Sequence, residues 1–130
     1  MVKYFEHRGL KILELDVTSP LSEVGNVLED AKKMAKLSMI HSSDELFVIY
    51  NVGGYIISRE VLEYAVKAIH TQKHKTTKRS IIVVGHDQVD RMIAITRALK
   101  LEKNTRIVET RDQALDWFIH GDDEPDYVLR

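Results

Sequence analysis

The chain has 130 residues, of which 44% are hydrophobic and 30% are charged, a composition typical of one soluble globular domain. Its 19 basic and 20 acidic side chains give a formal charge of -1, so we expect no overall attraction to nucleic acid or to an anionic membrane. The chain has no cysteine, which excludes disulfides, thiolate metal sites and cysteine nucleophiles. No apolar run approaches the roughly 18 residues of a membrane-spanning helix, and we therefore expect a cytoplasmic protein.

The chain begins with a predicted antiparallel hairpin. Val2 to Glu6 and Lys11 to Val17 are two β-prone runs with a short turn sequence between them. In the second run, apolar residues at positions 13, 15 and 17 alternate with Glu14 and Asp16. This alternation predicts a strand with one solvent-facing side, near an edge of the sheet.

A helix is predicted next, from Ser19 to about Met39. Serine suits the N-cap and Pro20 the first helical position, and apolar residues then follow at steps of three and four.

The most apolar strand runs from Leu46 to Tyr50. It is too short and too uniformly apolar for a half-exposed strand, so it predicts a central strand of a parallel sheet, buried on both faces. Asn51 and two glycines end this strand. Ser58 can then act as the N-cap of an amphipathic helix that continues to Ile69.

The second half of the chain repeats this alternation. Ser80 to Val84 is a second buried strand, and His86 or Asp87 can cap the helix that follows it. Thr105 to Val108 predicts a short final strand.

The last predicted helix opens with a capping box, Thr110 to Gln113, in which threonine and glutamine cap each other's backbone. Its inward residues are predicted to be Ala114, Leu115, Phe118 and Ile119, with Trp117 either in the core or at the surface. Residues 121–130 contain a proline and several acids, and we expect them to form a mobile tail.

The element order is therefore β-β-α-β-α-β-α-β-α. It predicts an α/β fold with a mostly parallel five-stranded sheet, an N-terminal antiparallel hairpin and about four helices. We expect one domain over residues 1–120 and the tail over 121–130.

Three segments carry a family resemblance: ELFVIYNVGGYIIS from Glu45, KRSIIVVGHDQVDRMI from Lys78, and RIVETRDQALDWFI up to Ile119. Together they resemble the anti-sigma-factor antagonist type of STAS domain, and especially its small bacterial STAS/SEC14-like branch. The resemblance implies a STAS fold and a non-enzymatic role in signalling or scaffolding, exercised by protein-protein binding. The matched features are packing and capping patterns.

The resemblance also implies a switch residue. In regulatory members, a serine at the start of the helix after the central strand is phosphorylated by a partner kinase, and Ser58 is the nearest match. This chain has Ile57-Ser58-Arg59-Glu60 where those members carry an aspartate, two serines and a glycine, and it has Asn51 where the strand usually ends in aspartate. The alternative is a plain N-cap, worth about 1 kcal/mol.

A candidate binding site follows from the sheet itself. The carboxyl ends of parallel strands meet at one edge, with helix N-termini behind them, so the loops after three strands should meet there. We call this edge the rim. Its predicted residues are Asn51, Gly53, Gly54, Gly85, His86 and Arg111.

The rim suits an anion or a polar headgroup, because glycines allow close approach, histidine holds a proton near neutral pH, and arginine grips carboxylate or phosphate. The alternative is that the glycines only shape turns while His86 and Arg111 are solvated.

Three function classes remain open on this reading. The first is the protein-binding regulatory or scaffolding domain, whose partner could be a second copy. The second is a small-molecule or lipid-binding module of the SEC14-like kind, with an acyl chain admitted between the helices Leu21 to Met39 and Ser58 to Ile69. The third, an enzyme using His86 and Arg111, ranks last because no nucleophile or metal accompanies them.

Other ligands are not expected. His70 and His74 lie one helical turn apart but have no third ligand, so the sequence predicts neither a metal site nor a cofactor. No nucleic-acid partner is expected either.

Overall fold

The structure, a computed structural model, describes residues 1–17, 24–41, 45–53, 60, 77–98, 100, 105–120 and 125–129. The strands are β1 (Val2–His7), β2 (Leu10–Asp16), β3 (Leu46–Gly53), β4 (Thr77–Val84) and β5 (Thr105–Val108). The helices of the described part are α1 (Val24–Ile40), α2 (Val89–Ala98), which a 3-10 turn (His86–Gln88) precedes, and α3 (Arg111–His120).

The five strands form one mixed sheet in the order β1-β2-β3-β4-β5. β1 and β2 are antiparallel, and every later pair is parallel. The turn of the hairpin consists of Arg8 and Gly9, both with positive φ (50° and 82°), as in the two-residue turns that match strand twist. The prediction of an α/β fold with a mainly parallel five-stranded sheet and an N-terminal hairpin is therefore confirmed.

The helix count is confirmed only in part, because three helices are seen in the described part of the chain and about four were expected. The predicted helix from Ser58 to Ile69 lies outside the described residues, except for Glu60, which is helical. The predicted start of the first helix, Ser19-Pro20, also lies outside them.

Both faces of the sheet are covered. The face against which α1 and α2 pack is called the first face. Its buried strand residues include Leu13, Val48, Tyr50, Ile82 and Ile107. On the second face, α3 and the C-terminal segment cover Ile12, Phe47, Ile49, Ile81 and Val83. When parallel strands are added in one direction through right-handed crossovers, the connecting helices lie on the same face of the sheet. This explains why α1 and α2 both lie on the first face.

β3 and β4 are the interior strands that the sequence predicted. Residues Leu46 to Val52 are at most 9% exposed, and Ser80 to Val84 are at most 3% exposed. The two strands pair in parallel, Ile49 opposite Ile81.

For β2, the prediction of one solvent-facing side is wrong. Ile12 and Glu14, on the expected wet side, are both 0% exposed. Phe5 and Leu10 pack around Ile12, and Arg111 covers the Glu14 carboxylate. β2 is therefore buried on both faces although it carries Glu14, because Arg111 pairs with the carboxylate.

The inward face of α3 also differs from the prediction. Ala114, Leu115 and Phe118 are buried as expected, but Ile119 is 42% exposed and Trp117 only 5% exposed. The helix turns its Trp117 side toward β4, where the Arg79 guanidinium carbon lies 5.1 Å from the centre of the indole. This contact gives the larger side chain the interior position.

The described part of the expected tail, residues 125–129, contacts the domain. Leu129 N–H donates to Ile107 O at 2.7 Å, forming an isolated antiparallel bridge on the outer edge of β5. Val128 is 9% exposed within the second-face core, and the Tyr127 hydroxyl is hydrogen-bonded to Asp116 of α3. This segment therefore lies against both β5 and α3.

Candidate functional site

Hydrogen bonds join neighbouring strands along the rim. Val17 N–H donates to Asn51 O at 3.0 Å, joining the ends of β2 and β3. Gly85 N–H donates to Gly53 O at 2.7 Å, joining β3 to β4. The last residue of β3 therefore contacts the segment that follows β4.

The local conformation at Gly53 explains the glycine. Its φ of 56° lies in the left-handed region, and the pairing of β3 with β4 is irregular between Asn51 and Gly53. A side chain is strained in this conformation, which glycine adopts freely. Gly54 and Ser58 lie outside the described residues.

Asn51 belongs more to the sheet than to the open edge. It is 9% exposed and lies opposite Asp16 of β2 in the register. By strand alternation it shares the second face with Phe47 and Ile49. It can offer only a small part of its surface to a ligand.

His86 is fully open to solvent but has a partner. Its side chain is 92% exposed, and Nδ1 lies 3.0 Å from Oε1 of Glu109, which follows β5. The hydrogen bond with Glu109 raises the pKa of His86, as do the charges of Glu109, Asp87 and Asp90. The pair links the loops after β4 and β5 and can hold a proton at the rim.

Arg111 turns away from the open rim toward the second face. Its Nε lies 3.0 Å from both carboxylate oxygens of Glu14, and Nη2 lies 2.9 Å from Oε1. The guanidinium carbon also lies 5.3 Å from the centre of the Phe5 ring. Since the side chain stays 38% exposed, the guanidinium covers Glu14 and keeps one side toward solvent.

The capping box at Thr110 to Gln113 is present as predicted. It gives the Thr110 hydroxyl a structural role. Gln113 N–H donates to Thr110 Oγ1 at 3.1 Å, and Thr110 N–H donates to Gln113 Oε1 at 3.2 Å. Glu109 N–H donates to the same Gln113 oxygen at 3.2 Å. Thr110 therefore serves the start of α3.

Four exposed acids lie in the segments that follow β4 and β5. We call them the acidic group: Asp87, Asp90, Glu109 and Asp112. Acids are favoured near helix N-termini, and here they stand at the starts of the 3-10 turn, α2 and α3. An anionic ligand at the rim would meet these charges, so the local field favours a cationic surface.

Sequence reasoning missed Glu14 and Glu109, the partners of the two rim side chains it singled out. Arg111 and Glu14 are 97 positions apart in the chain, and no local pattern joins them. The signal that could have found Glu14 is an acid between two apolar residues in the interior of a strand, since such an acid needs a cation when it is buried.

Comparison of the chain with protein-family models, with curated proteins and with solved structures finds no match. The resemblance to STAS domains therefore stays a prediction from the residues quoted above.

None of the helices in the described part of the chain has the length and apolar character needed to cross a membrane. Within the same residues, no three acidic, histidine or cysteine side chains are grouped so that they could hold a metal ion. His70 and His74 lie outside the described part of the chain.

Proposed function

We propose that this chain is a non-enzymatic regulatory or scaffolding domain of the STAS type, located in the cytoplasm, that acts by binding a protein partner at the rim. The observation that carries the proposal is the acidic group of four exposed acids. It includes Glu109, the partner of the exposed His86, and Asp87 and Asp90, whose charges also act on that histidine. Such a surface attracts a basic patch on a partner and steers its approach.

The other polar side chains at the rim already have structural partners, which supports a binding role over a catalytic one. Arg111 is hydrogen-bonded to Glu14, and Thr110 caps α3. His86 lies in open solvent, where its field is screened. A proton-holding group of this kind tunes the charge of a contact surface.

Ser58 belongs to the same proposal as a modification site. It follows the last residue of β3, Gly53, along the chain. A phosphate there would add about -1.5 to -2 charges, which changes the affinity of a rim that already carries acids. Ser58→Asp should therefore alter partner binding relative to Ser58→Ala, and equal binding by both would remove Ser58 from the proposal.

The rim proposal is tested by charge reversal. The variant Asp87→Lys with Glu109→Lys changes two exposed acids of the acidic group, and the control Glu6→Lys with Glu29→Lys makes the same change of charge on β1 and α1. Each protein is used to capture partners from its native host. A candidate partner is one that wild type and control retain and the rim variant loses.

The partner is then purified and its affinity measured by calorimetry at two salt concentrations, or by sedimentation if the partner is a second copy. The rim variant should bind at least about tenfold more weakly, a loss of about 1.4 kcal/mol, and wild-type binding should weaken as salt rises. Equal affinity of wild type and rim variant would refute binding at the rim.

The runner-up function, a small-molecule or lipid-binding module of the SEC14-like kind, remains a prediction. Its expected entrance depends on the helix from Ser58 to Ile69, which lies outside the described residues.

A further inference from the structure

A cleft of about 260 Å³ lies between α2 and β5, on the first face of the sheet. Among the described residues, those that line it are Ile93, Thr96 and Arg97 of α2, Thr105, Arg106 and Ile107 of β5, and Leu129 of the C-terminal segment. Three of these side chains are apolar and two carry guanidinium groups. The cleft therefore combines an apolar wall with positive charge.

The orientation of β5 brings Arg106 to this side of the sheet edge. Because Ile107 O accepts from Leu129 N–H, the backbone groups of Ile107 point away from β4. Those of Thr105, two residues earlier, point the same way. Arg106 Nη1 donates to Thr105 O at 3.1 Å, so its guanidinium lies at the outer edge, beside the cleft.

Arg97 supplies the second charge from the facing helix. It lies in the last turn of α2 and is exposed. Two arginines therefore flank the cleft from opposite walls, in a position to attract an anion from solvent.

A buried hydroxyl on the wall of the cleft lacks a partner. Thr105 is 3% exposed, and its Oγ1 has no hydrogen-bond partner. Thr96, by contrast, donates its hydroxyl to Met92 O at 2.7 Å. Buried polar groups are nearly always paired, so the Thr105 hydroxyl leaves one hydrogen bond to be made.

We propose that this cleft binds a small carboxylate that has an apolar body, with the carboxylate toward Arg97 and Arg106 and the body against Ile93, Ile107 and Leu129. The Thr105 hydroxyl is the nearby neutral donor. The volume lies below the roughly 300 Å³ at which drug-sized pockets begin, so the ligand is small and a two-chain lipid is excluded. The apolar wall favours such a ligand over inorganic phosphate, because a phosphate oxygen against that wall would lose hydration water and find no hydrogen-bond donor there.

The test is an NMR titration of the full chain with three probes: hexanoate, hexan-1-ol and acetate. Hexanoate should shift the amide signals of Thr96, Arg97 and Ile107 in a saturable way. Hexan-1-ol lacks the charge and acetate lacks the apolar body, so each should bind at least about tenfold more weakly. Absence of saturable shifts with hexanoate, or equal affinity for hexan-1-ol, would overturn the proposal without any substitution.

Three variants locate the binding, and a fourth is the control. Arg97→Gln and Arg106→Gln should each weaken hexanoate binding by at least about fivefold. Thr105→Val keeps the side-chain shape, removes the unpaired hydroxyl and should also bind more weakly. Arg8→Gln removes the same charge from the hairpin turn at the other edge of the sheet and should bind as wild type does.

Unchanged affinity in both arginine variants would refute the site. The outcome is independent of the rim, because neither arginine belongs to it. Loss of the carboxylate site would leave the proposed protein binding standing, and the reverse also holds.

Discussion

The guanidinium of Arg111, at the first residue of α3, makes three hydrogen bonds to the fully buried carboxylate of Glu14 in β2. The pair connects the last helix to the second strand across the second face of the sheet. The hydrogen bond to Glu14 raises the pKa of Arg111, since the carboxylate favours the charged guanidinium. A buried carboxylate without this partner would have no charge to compensate its own.

We expect Arg111→Met to destabilise the fold strongly. The substitution leaves the Glu14 carboxylate buried and unpaired. Breaking a fully buried ion pair costs about 3 to 5 kcal/mol. We expect a loss toward the lower end of this range, because Arg111 keeps one side in solvent. Urea denaturation measures the loss.

The control is the double variant Glu14→Leu with Arg111→Met. It replaces the pair by apolar side chains and should recover most of the stability lost in the single variant. A double variant as unstable as Arg111→Met alone would show that the ion pair is not the cause.

Thr110→Ala tests the capping box. Gln113 N–H would lose its acceptor at the start of α3, and the expected loss in free energy of unfolding is about 0.5 to 2 kcal/mol. Thr110→Ser keeps the hydroxyl and should stay close to wild type. A denaturation midpoint that is unchanged in Thr110→Ala would remove this role from Thr110.

Features set by local sequence could be predicted. The apolar runs of β3 and β4 indicated interior strands, and they are buried and parallel. The threonine and glutamine of the capping box stand three residues apart, as reciprocal capping requires. The contact between Gly53, at the end of β3, and Gly85, after β4, follows from the geometry of neighbouring parallel strands.

Features set by distant contacts could not be predicted. Glu14 was assigned to a wet face because nothing near it in sequence reveals Arg111. Trp117 and Ile119 flank the same helix face, and the choice between them depends on Arg79 of β4. The sequence named Arg111 as a rim residue, but its distant partner Glu14 holds the guanidinium over a buried acid.

His86 should titrate above its ordinary pKa of 6.5, because its hydrogen bond to Glu109 favours the protonated ring. Its imidazole NMR signals followed against pH give the value directly. Glu109→Gln should move the pKa down toward 6.5, whereas Asp112→Asn, at another exposed acid, should not. An unchanged pKa in Glu109→Gln would contradict the pairing.

The hydrogen bond between His86 and Glu109 also makes the stability of the fold depend on pH. A histidine whose pKa is higher in the folded chain stabilises the fold below its unfolded-state pKa, and this contribution is lost as pH rises through the raised value. Wild type should therefore lose stability relative to Glu109→Gln over that interval above pH 6.5, and only slightly, since His86 is exposed.

Val128→Ala should destabilise the domain by roughly 1 to 2 kcal/mol, because the valine side chain is buried in the second-face core and truncation removes two carbon atoms from it. Asp126→Ala, two positions earlier and exposed, is the matched control and should change the free energy of unfolding by less than about 0.5 kcal/mol. Denaturation of the two variants and of wild type decides whether residues 125–129 are packed against the domain or form the mobile tail that the composition predicts. In a mobile tail both substitutions would be silent, so equal midpoints for the three proteins would show that burial of the Val128 side chain contributes nothing to the fold in solution.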